Sequence, residues 1–428
     1  MNLEITAVAY GGKGIARNEG KVYFVAGTVP GDRVAVSVTH AGKQFSEAIV
    51  TEWQGRSELR GVSPCAYFGT CGGCQWLDIH GPTQAEWKQS FVTSALRRIG
   101  RVSDNIPLTF YAAPAPLSYR NRITVKVSTN AAGVMQFGFF AAQSHQVIAI
   151  DRCAIADTAI NAFLSHLAAV APPPATVGMF QLEIMAASSR DQAHSGIIVT
   201  LYIERGVVPD GLAQFLVDLR SVPGVLWCDT SDAARGAPYF LWDQQFGINF
   251  LTKPAQFQQV NRAHNRSLRQ LVYDEVSARG AQRILDLHCG GGNLSLALCN
   301  GSRSITGIET SSVAIASARE SATAAGLTGH DYRIGDATAQ VWQAHRHNEV
   351  YDLIIADPPR EGMKDAVPAL LKLAPATIIY ISCDPTTLAR DLIPLTKARY
   401  QIVKLAAFDF FPNTYHVETV AVLERTGA

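Results

Sequence analysis

The residues best suited to chemistry are one thiol and a set of acids that follow short apolar runs. Cys383 stands in the phrase Ser382-Cys383-Asp384-Pro385, directly after an apolar run at 377–381. A second phrase, Asp357-Pro358-Pro359-Arg360, follows a similar run at 351–356. Upstream lies a glycine loop, Asp286-Leu287-His288-Cys289-Gly290-Gly291-Gly292-Asn293. Short apolar runs closed by turn residues read as buried strands, and loops that follow successive parallel strands meet at one edge of their sheet. A nucleotide-type loop and a thiol nucleophile at one edge point to covalent chemistry on a base. A uracil ring carbon is a poor nucleophile. A thiolate added to C6 makes C5 reactive toward an electrophilic methyl group, and a base must then remove the C5 proton so that the thiol can leave. Cys383 suits the first role. Glu418 suits the second, in Asp409-Phe410-Phe411-Pro412-Asn413-Thr414-Tyr415-His416-Val417-Glu418, where it starts a predicted strand beside a histidine and aromatics. The bland alternatives are a small buried hydrophobe for Cys383 and a strand-end surface acid for Glu418, and for Glu418 taken alone the surface acid is the better reading.

The elements around these residues follow a βα rhythm. Residues 283–287 read as a strand, and the three glycines after it let backbone amides approach a ligand. Residues 293–298 read as the start of a helix. Residues 305–308 read as the next strand, closing on Glu309, nineteen residues after Gly290. An acid there accepts two ribose hydroxyls. Asp336, after Gly335, is placed for an adenine amino group, and Asp357 ends a fourth strand. The loop lacks the G-x-G-x-x-G spacing of dinucleotide enzymes, and nothing else supports hydride chemistry. From about residue 251 the alternation predicts a doubly wound α/β domain. Its order of strand-end acids resembles that of class I S-adenosylmethionine (SAM) methyltransferases.

The preceding chain reads differently. Residues 1–56 show short strands and glycine turns, with strands expected at 22–25, 34–38 and 48–53, the pattern of a small barrel. Gly11-Gly12-Lys13-Gly14 and Val29-Pro30-Gly31-Asp32 resemble phrases of the TRAM domain, an OB-like RNA-binding barrel. Residues 57–250 form a second expected part. It contains a helix at 83–99 with Trp87, Phe91, Ala95 and Leu96 on one face, then mainly strands from 119 to about 250, with a proline loop at 171–175. Cys65, Cys71 and Cys74 bring three thiols together, and Cys153 is a plausible fourth. Four thiolates suit structural zinc or a [4Fe–4S] cluster, and spacing alone does not separate them.

The 428 residues carry a net charge of +1, so the overall balance is silent on nucleic acid. Between 86 and 126, seven basic residues (Lys88, Arg97, Arg98, Arg101, Arg120, Arg122, Lys126) face only Glu86 and Asp104. That stretch is either a phosphate-meeting surface or a solvated helix face. The first residues lack the pattern of a signal peptide, and no run suits a bilayer span. A cytoplasmic protein without a membrane partner is expected, acting as a monomer. Its eight cysteines then suit metal binding or catalysis better than a disulfide framework.

Taken together these motifs resemble the RNA (uracil-5-)-methyltransferases, specifically the bacterial 23S rRNA type with a TRAM domain and an iron–sulfur cluster, over nearly the full length. The resemblance implies Cys383 as nucleophile and Glu418 as base. It implies SAM contacts at Gln259, His288, Asn293, Glu309, Asp336 and Asp357, with Phe257 near the extruded base. It implies a [4Fe–4S] cluster on Cys65, Cys71, Cys74 and Cys153, in a structural role. The implied fold is multidomain: an N-terminal OB-like TRAM barrel (1–56), a central β-rich iron–sulfur domain (57–250) and a C-terminal Rossmann-like class I SAM methyltransferase domain (251–428). The implied partner is RNA, 23S rRNA before tRNA. His288 departs from the family's usual Phe or Tyr. Three rival readings fit less of the chain. An adenine amino-methyltransferase normally has an aromatic where Arg360 stands. A radical-SAM TRAM enzyme needs C-x3-C-x2-C. A non-catalytic RNA-binding protein leaves the thiol, base and cofactor acids unexplained.

Overall fold

The computed structural model describes every residue except 103–105, 130–134, 168–169, 171–179, 205–210, 300 and 428. The proline loop expected at 171–175 and Asp104 lie outside the described residues. Three sheets organise the chain.

The first has six strands in the order Asn2–Glu4, Arg33–Ala41, Phe45–Gly55, Lys21–Val25, Gly14–Asn18, Ala7–Val8. Its two edge strands are one run of chain. Leu3 pairs with Val34, while Ala7 pairs with Ile15. So few residues separate the edges that the sheet must be closed, which removes its free edges. Leu3, Ala16, Val25 and Val34 fill the interior.

The second sheet runs Val147–Ala149, Met135–Phe140, Arg122–Thr129, Phe180–Ser189, Ser195–Tyr202, Val225–Thr230. Helices Thr158–Leu167 and Leu212–Ser221 bury their apolar faces on it. The sequence reading, mainly strands, missed both. A hairpin of Phe240–Gln245 and Ile248–Thr252 pairs with this sheet at Ser188 and Ser189. The hairpin nevertheless buries Trp242 and Phe250 against residues of the third unit, including Ile315 and Tyr332.

The third sheet has the order His330–Ile334, Ser304–Glu309, Arg283–Leu287, Leu353–Ala356, Thr377–Ser382, Glu418–Arg425, Tyr400–Phe408, Leu108–Tyr111. The first five strands are parallel and Glu418–Arg425 is antiparallel to both its neighbours. Strands such as Leu353–Ala356 and Thr377–Ser382 are buried throughout, as a parallel strand covered on both faces must be. The strand order reverses between Arg283–Leu287 and Leu353–Ala356, and a crevice opens there at the carboxyl ends. The edge strand Leu108–Tyr111 comes from the segment ahead of the second sheet. It pairs with Tyr400–Phe408 and stacks Tyr111 on Phe408 at 4.3 Å between ring centres.

The helix expected from 293 is not formed. Residues 290–295 are turns, and a three-residue 3-10 turn, Leu296–Leu298, follows. Of the sixteen residues between Leu287 and Ser304, six belong to the glycine loop, which leaves little chain for a crossover helix.

Candidate active site

The carboxyl ends of the parallel strands place His288, Glu309, Asp357 and Cys383 around one cleft of about 1000 Å³. Glu418 joins them for a topological reason. Its strand is antiparallel, so its first residue lies at the edge where the parallel strands end. The register pairs Ser382 with Thr419, so the next step along the ladder sets Cys383 beside Glu418. Both line the cleft, as do Gln259 and Phe257.

The Cys383 turn is held from both sides. Asp384 caps helix Pro385–Lys397, accepting from the Thr386 amide at 2.8 Å and its hydroxyl at 2.6 Å. Pro385 opens that helix where its missing N–H costs nothing. The Ser382 hydroxyl donates to the Asp384 carbonyl at 3.0 Å and accepts from the Asp384 amide at 3.2 Å. Cys383 is left half-buried with its thiol in the cleft.

The electrostatics of the pair are unusual. Burial pushes the Cys383 thiol up to about 12, and the Glu418, Asp357 and Asp384 carboxylates add to the rise, while Arg360 opposes it. Glu418 is 3% exposed; burial and then Asp357 hold its carboxyl well above the ordinary range. Burial likewise raises Asp357 to about 7. Burial and their mutual proximity disfavour the ionised form of both carboxyls. His416, in the same cleft, is driven down to about 4 by burial and by the Arg360, Lys88 and Arg120 charges, so it is neutral. Ionisation of the thiol and of the neighbouring carboxyl is thus suppressed together, and positive charge brought into the cleft favours both ionised forms.

The cofactor half surrounds the glycine loop. His288 has φ 62° and Gly292 φ 77°, and a Cβ on Gly292 would lie 2.7 Å from Leu296. Glu309 is fixed by the Ser311 amide and Thr310 hydroxyl, both at 2.9 Å, and by the Gly290 amide at 3.3 Å. A smaller adjoining cavity of about 50 Å³ is lined by Gln259, Asp286, His288, Gly290, Asn293 and Asp357 among others. Asp286 is fully buried, and neither of its carboxylate oxygens has a hydrogen-bond partner among the described residues. The nearby Ser295 hydroxyl pairs with that of Tyr332 at 3.2 Å. Burial lifts Asp286 to about 7, with Asp357 and Glu309 adding and the neighbouring Ser295 hydroxyl opposing; the Ser295 hydroxyl nonetheless makes its hydrogen bond to Tyr332 and not to the carboxylate. A buried carboxylate without a direct hydrogen bond, beside the glycine loop, suits a ligand that carries an ammonium. The donor set therefore fits the amino-acid end of SAM. Asp286 was not among the expected contacts, although an acid inside the apolar run 283–287 is the signal that could have found it.

Two expected contacts sit differently. Asn293 borders the smaller cavity, but its amide pairs with Asn265 at 2.9 Å and accepts from Arg269 at 3.0 Å. Arg269 is itself buried in an ion pair with Asp243, over the Phe250 ring. Asn293 thus ties the loop to helix Arg262–Ala278 and the preceding hairpin. Asp336 is exposed and lines neither cavity. It caps helix Ala337–Arg346, accepting from the Ala339 amide at 2.8 Å, though its charge still reaches His288.

The basic stretch at 86–126 is not a uniform surface, which corrects the phosphate reading for two of its members. Lys88 is fully buried in an ion pair with Asp409 and also donates to the Phe411 carbonyl at 3.0 Å. Arg122 donates to the Gln256 and Gln258 carbonyls at 3.0 and 3.1 Å, with its guanidinium 5.1 Å from the Phe257 ring centre. It thereby presents Phe257, 71% exposed, to the cleft. Helix Gly81–Arg98 buries Gln84 as well, which accepts from the Asn413 amide at 2.8 Å. Gln84, Lys88 and Val92 recur every fourth residue, so periodicity alone marks this face as inward. Through it the helix clamps the segment that delivers Glu418.

Cys65, Cys71, Cys74 and Cys153 border one largely apolar cavity, with Phe68, Ile123 and Phe139 in its wall. The Gly72 amide donates to the Phe140 carbonyl at 2.9 Å, and the Tyr67 hydroxyl to Asp151 at 2.7 Å, which fold the cysteine loop onto the second sheet. Asn161 holds Cys153 through the amide at 2.8 Å and the carbonyl at 3.0 Å. Burial raises the Cys71, Cys74 and Cys153 thiols, Cys74 to about 12, and the neighbouring thiols add to each rise. Among the described residues no group of three His, Cys, Asp or Glu is spaced for a single metal ion. Gly72 and Gly73, between two of the thiols, also line the catalytic cleft.

Comparison with known proteins agrees with this geometry. The profile of the tRNA (Uracil-5-)-methyltransferase family matches residues 243–426, and that of the TRAM domain residues 1–51. An uncharacterized RNA methyltransferase of Thermosynechococcus vestitus is 32% identical, over 99% of this chain and 97% of its own. The 23S rRNA (uracil(1939)-C(5))-methyltransferase RlmD of Chromohalobacter salexigens is also 32% identical, over 99% of this chain and 89% of its own. The crystal structure of Pyrococcus abyssi tRNA (uracil-54, C5)-methyltransferase, in complex with S-adenosyl-L-homocysteine, shares the fold with a TM-score of 0.73 at 21% identity, over 99% of each chain. With a TRAM barrel ahead of a class I methyltransferase sheet, and relatives that match end to end, the chain belongs to the RNA (uracil-5-)-methyltransferase family.

Proposed function

We propose that this protein methylates C5 of one uridine in 23S rRNA through a covalent bond between Cys383 and C6. The observation that carries the reading is the adjacency of Cys383 and Glu418, which the 382–419 register sets side by side at the cofactor edge. SAM, when bound, supplies the methyl group as an electrophile. Asp286, Glu309, His288, Gln259 and Asp357 would hold it. The target base must leave its stack to reach a half-buried thiol, and exposed Phe257 in the cleft wall would lie near it. Cys383 loses its proton to solvent, attacks C6 as the thiolate, and the ring electrons pass toward C5. After C5 has been methylated, Glu418 takes the C5 proton. The electrons re-form the C5–C6 double bond and expel the Cys383 thiolate.

A [4Fe–4S] cluster on Cys65, Cys71, Cys74 and Cys153 completes the reading. Its support is the one largely apolar cavity that all four cysteines border. Its role is structural, since it would fix the loop whose Gly72 and Gly73 form part of the cleft wall.

Mass mapping of 5-methyluridine in rRNA and tRNA from cells with and without the gene tests the substrate. One 23S site is expected to disappear; loss from tRNA alone would move the target there. RNA carrying 5-fluorouridine should trap the wild type as a stable adduct, because fluorine at C5 cannot leave as a proton. Cys383→Ala should not be trapped, and substantial turnover by that variant would refute the mechanism.

A further inference from the structure

We propose that Tyr10, on the N-terminal barrel, is a positioning residue for Cys383, so that the barrel completes the catalytic site as well as offering a surface to RNA. The proposal rests on Cys383 being the nucleophile and concerns what aims it.

The Tyr10 hydroxyl donates to the Cys383 carbonyl at 3.2 Å, across 373 residues of sequence. It stands in a tight loop in which the Gly12 amide donates to the Ala9 carbonyl at 2.9 Å. The ring packs edge-on against Phe91 and Tyr415, with centres 5.8 and 5.7 Å away. The same loop approaches so closely that a Cβ on Gly12 would lie 3.1 Å from the Tyr415 ring. Arg360, at the cleft rim, sits against the Tyr10 and Tyr415 phenols and reaches Asp384 at 3.4 Å. Three remote segments, the barrel loop, the Asp357-Pro358-Pro359-Arg360 turn and the terminal aromatic run, therefore meet on the peptide that carries the thiol.

That peptide needs a third restraint. Ser382 and Asp384 fix the chain on either side of Cys383 through their hydroxyl and carboxylate. Tyr10 holds the Cys383 carbonyl itself. Rotation of that peptide would swing the Cβ–Sγ bond, and small misplacement of a reacting atom costs rate steeply. The barrel is anchored firmly enough to serve. Arg60 donates to buried Asp32 of the barrel at 2.7 Å and to Asp78 beyond it at 2.6 Å. A phenol on a flexibly tethered module could not hold a carbonyl in one direction, but one fixed by a buried ion pair can.

The test is Tyr10→Phe in the full chain, which keeps the ring against Phe91 and Tyr415 and removes only the donor. The maximal rate of adduct formation with 5-fluorouridine RNA at saturation is expected to fall about tenfold, or about 1.4 kcal/mol, near the upper end for one neutral hydrogen bond. RNA affinity should stay within about twofold, and the pH midpoint of adduct formation should not move, because aim is lost and thiol acidity is not. Arg360→Lys, which loosens the same clamp at an exposed position, should change the maximal rate in the same direction. Wild-type maximal rates in both variants, or a loss of rate explained wholly by weaker RNA binding, would overturn the positioning role alone. No adduct with the wild type would overturn the nucleophile assignment and this inference with it.

Discussion

Replacing Glu418 with Gln should split the reaction into a step that survives and a step that fails. The substitution preserves size in a site only 3% exposed, so packing is kept. It removes the group assigned to take the C5 proton, and a positioned base is worth about 10²–10⁴-fold. The earlier step responds in the opposite direction. After burial, Glu418 is the largest contributor raising the Cys383 thiol to about 12. At pH 8 a thiol at 12 is ionised to about 10⁻⁴, and each pH unit by which it falls multiplies that fraction about tenfold. Removing the Glu418 charge therefore keeps or quickens thiolate addition while elimination slows by at least about 10²-fold. A methylated protein–RNA adduct should accumulate on ordinary uridine RNA. It would be read as a denaturant-resistant shifted band carrying label from SAM, with rapid-quench sampling to separate its rise from its decay. Near-normal turnover would make Glu418 a bystander. Slow turnover without the adduct would mean that it acts before methyl transfer, and another base would have to be found.

Protein purified without oxygen should contain iron bound to thiolates and be brown. Changing Cys65, Cys71, Cys74 or Cys153 to Ser should remove the iron and lower solubility; colourless protein holding zinc would refute the cluster. Asp286→Asn should weaken SAM binding, measured calorimetrically, while stabilising the protein without cofactor. The Asp286 carboxyl lies at about 7 in the fold against an ordinary 3.8. The neutral form is therefore favoured in the fold, and the stability it contributes is complete below pH 3.8 and lost as pH rises to about 7. Above that the cost is about 4 kcal/mol as an upper bound. The gain in melting temperature should be larger at pH 8 than at pH 5. An equal shift at both pH values, or unchanged SAM affinity, would remove Asp286 from the cofactor site.

Much of this site was legible in one dimension because its parts are local. The run at 377–381 is apolar since both faces of its strand are covered, and the phrase after it must then lie at the sheet edge. The same logic locates Asp357 after 353–356 and Glu309 after 304–308. Thiol, acids and glycine loop could therefore be assigned to one edge before any coordinates. What was not legible is everything that depends on which segment lies beside which. Glu418 borders Cys383 only because an antiparallel strand is inserted between Thr377–Ser382 and Tyr400–Phe408. Lys88 reads as a surface cation until Asp409 is brought to it from 321 residues away. Asn293 borders the cofactor cavity as its motif suggests, but the pairing of its amide with Arg269 and Asn265 has no sequence signal. Leu108–Tyr111 reads as part of the middle of the chain and pairs instead with the catalytic sheet. Hydrophobic period reports whether a residue faces inward, not what it meets there. Strand insertion, buried ion pairs and the reach of Tyr10 to the Cys383 carbonyl are choices among many inward-facing partners, and only simultaneous packing of the three sheets makes them.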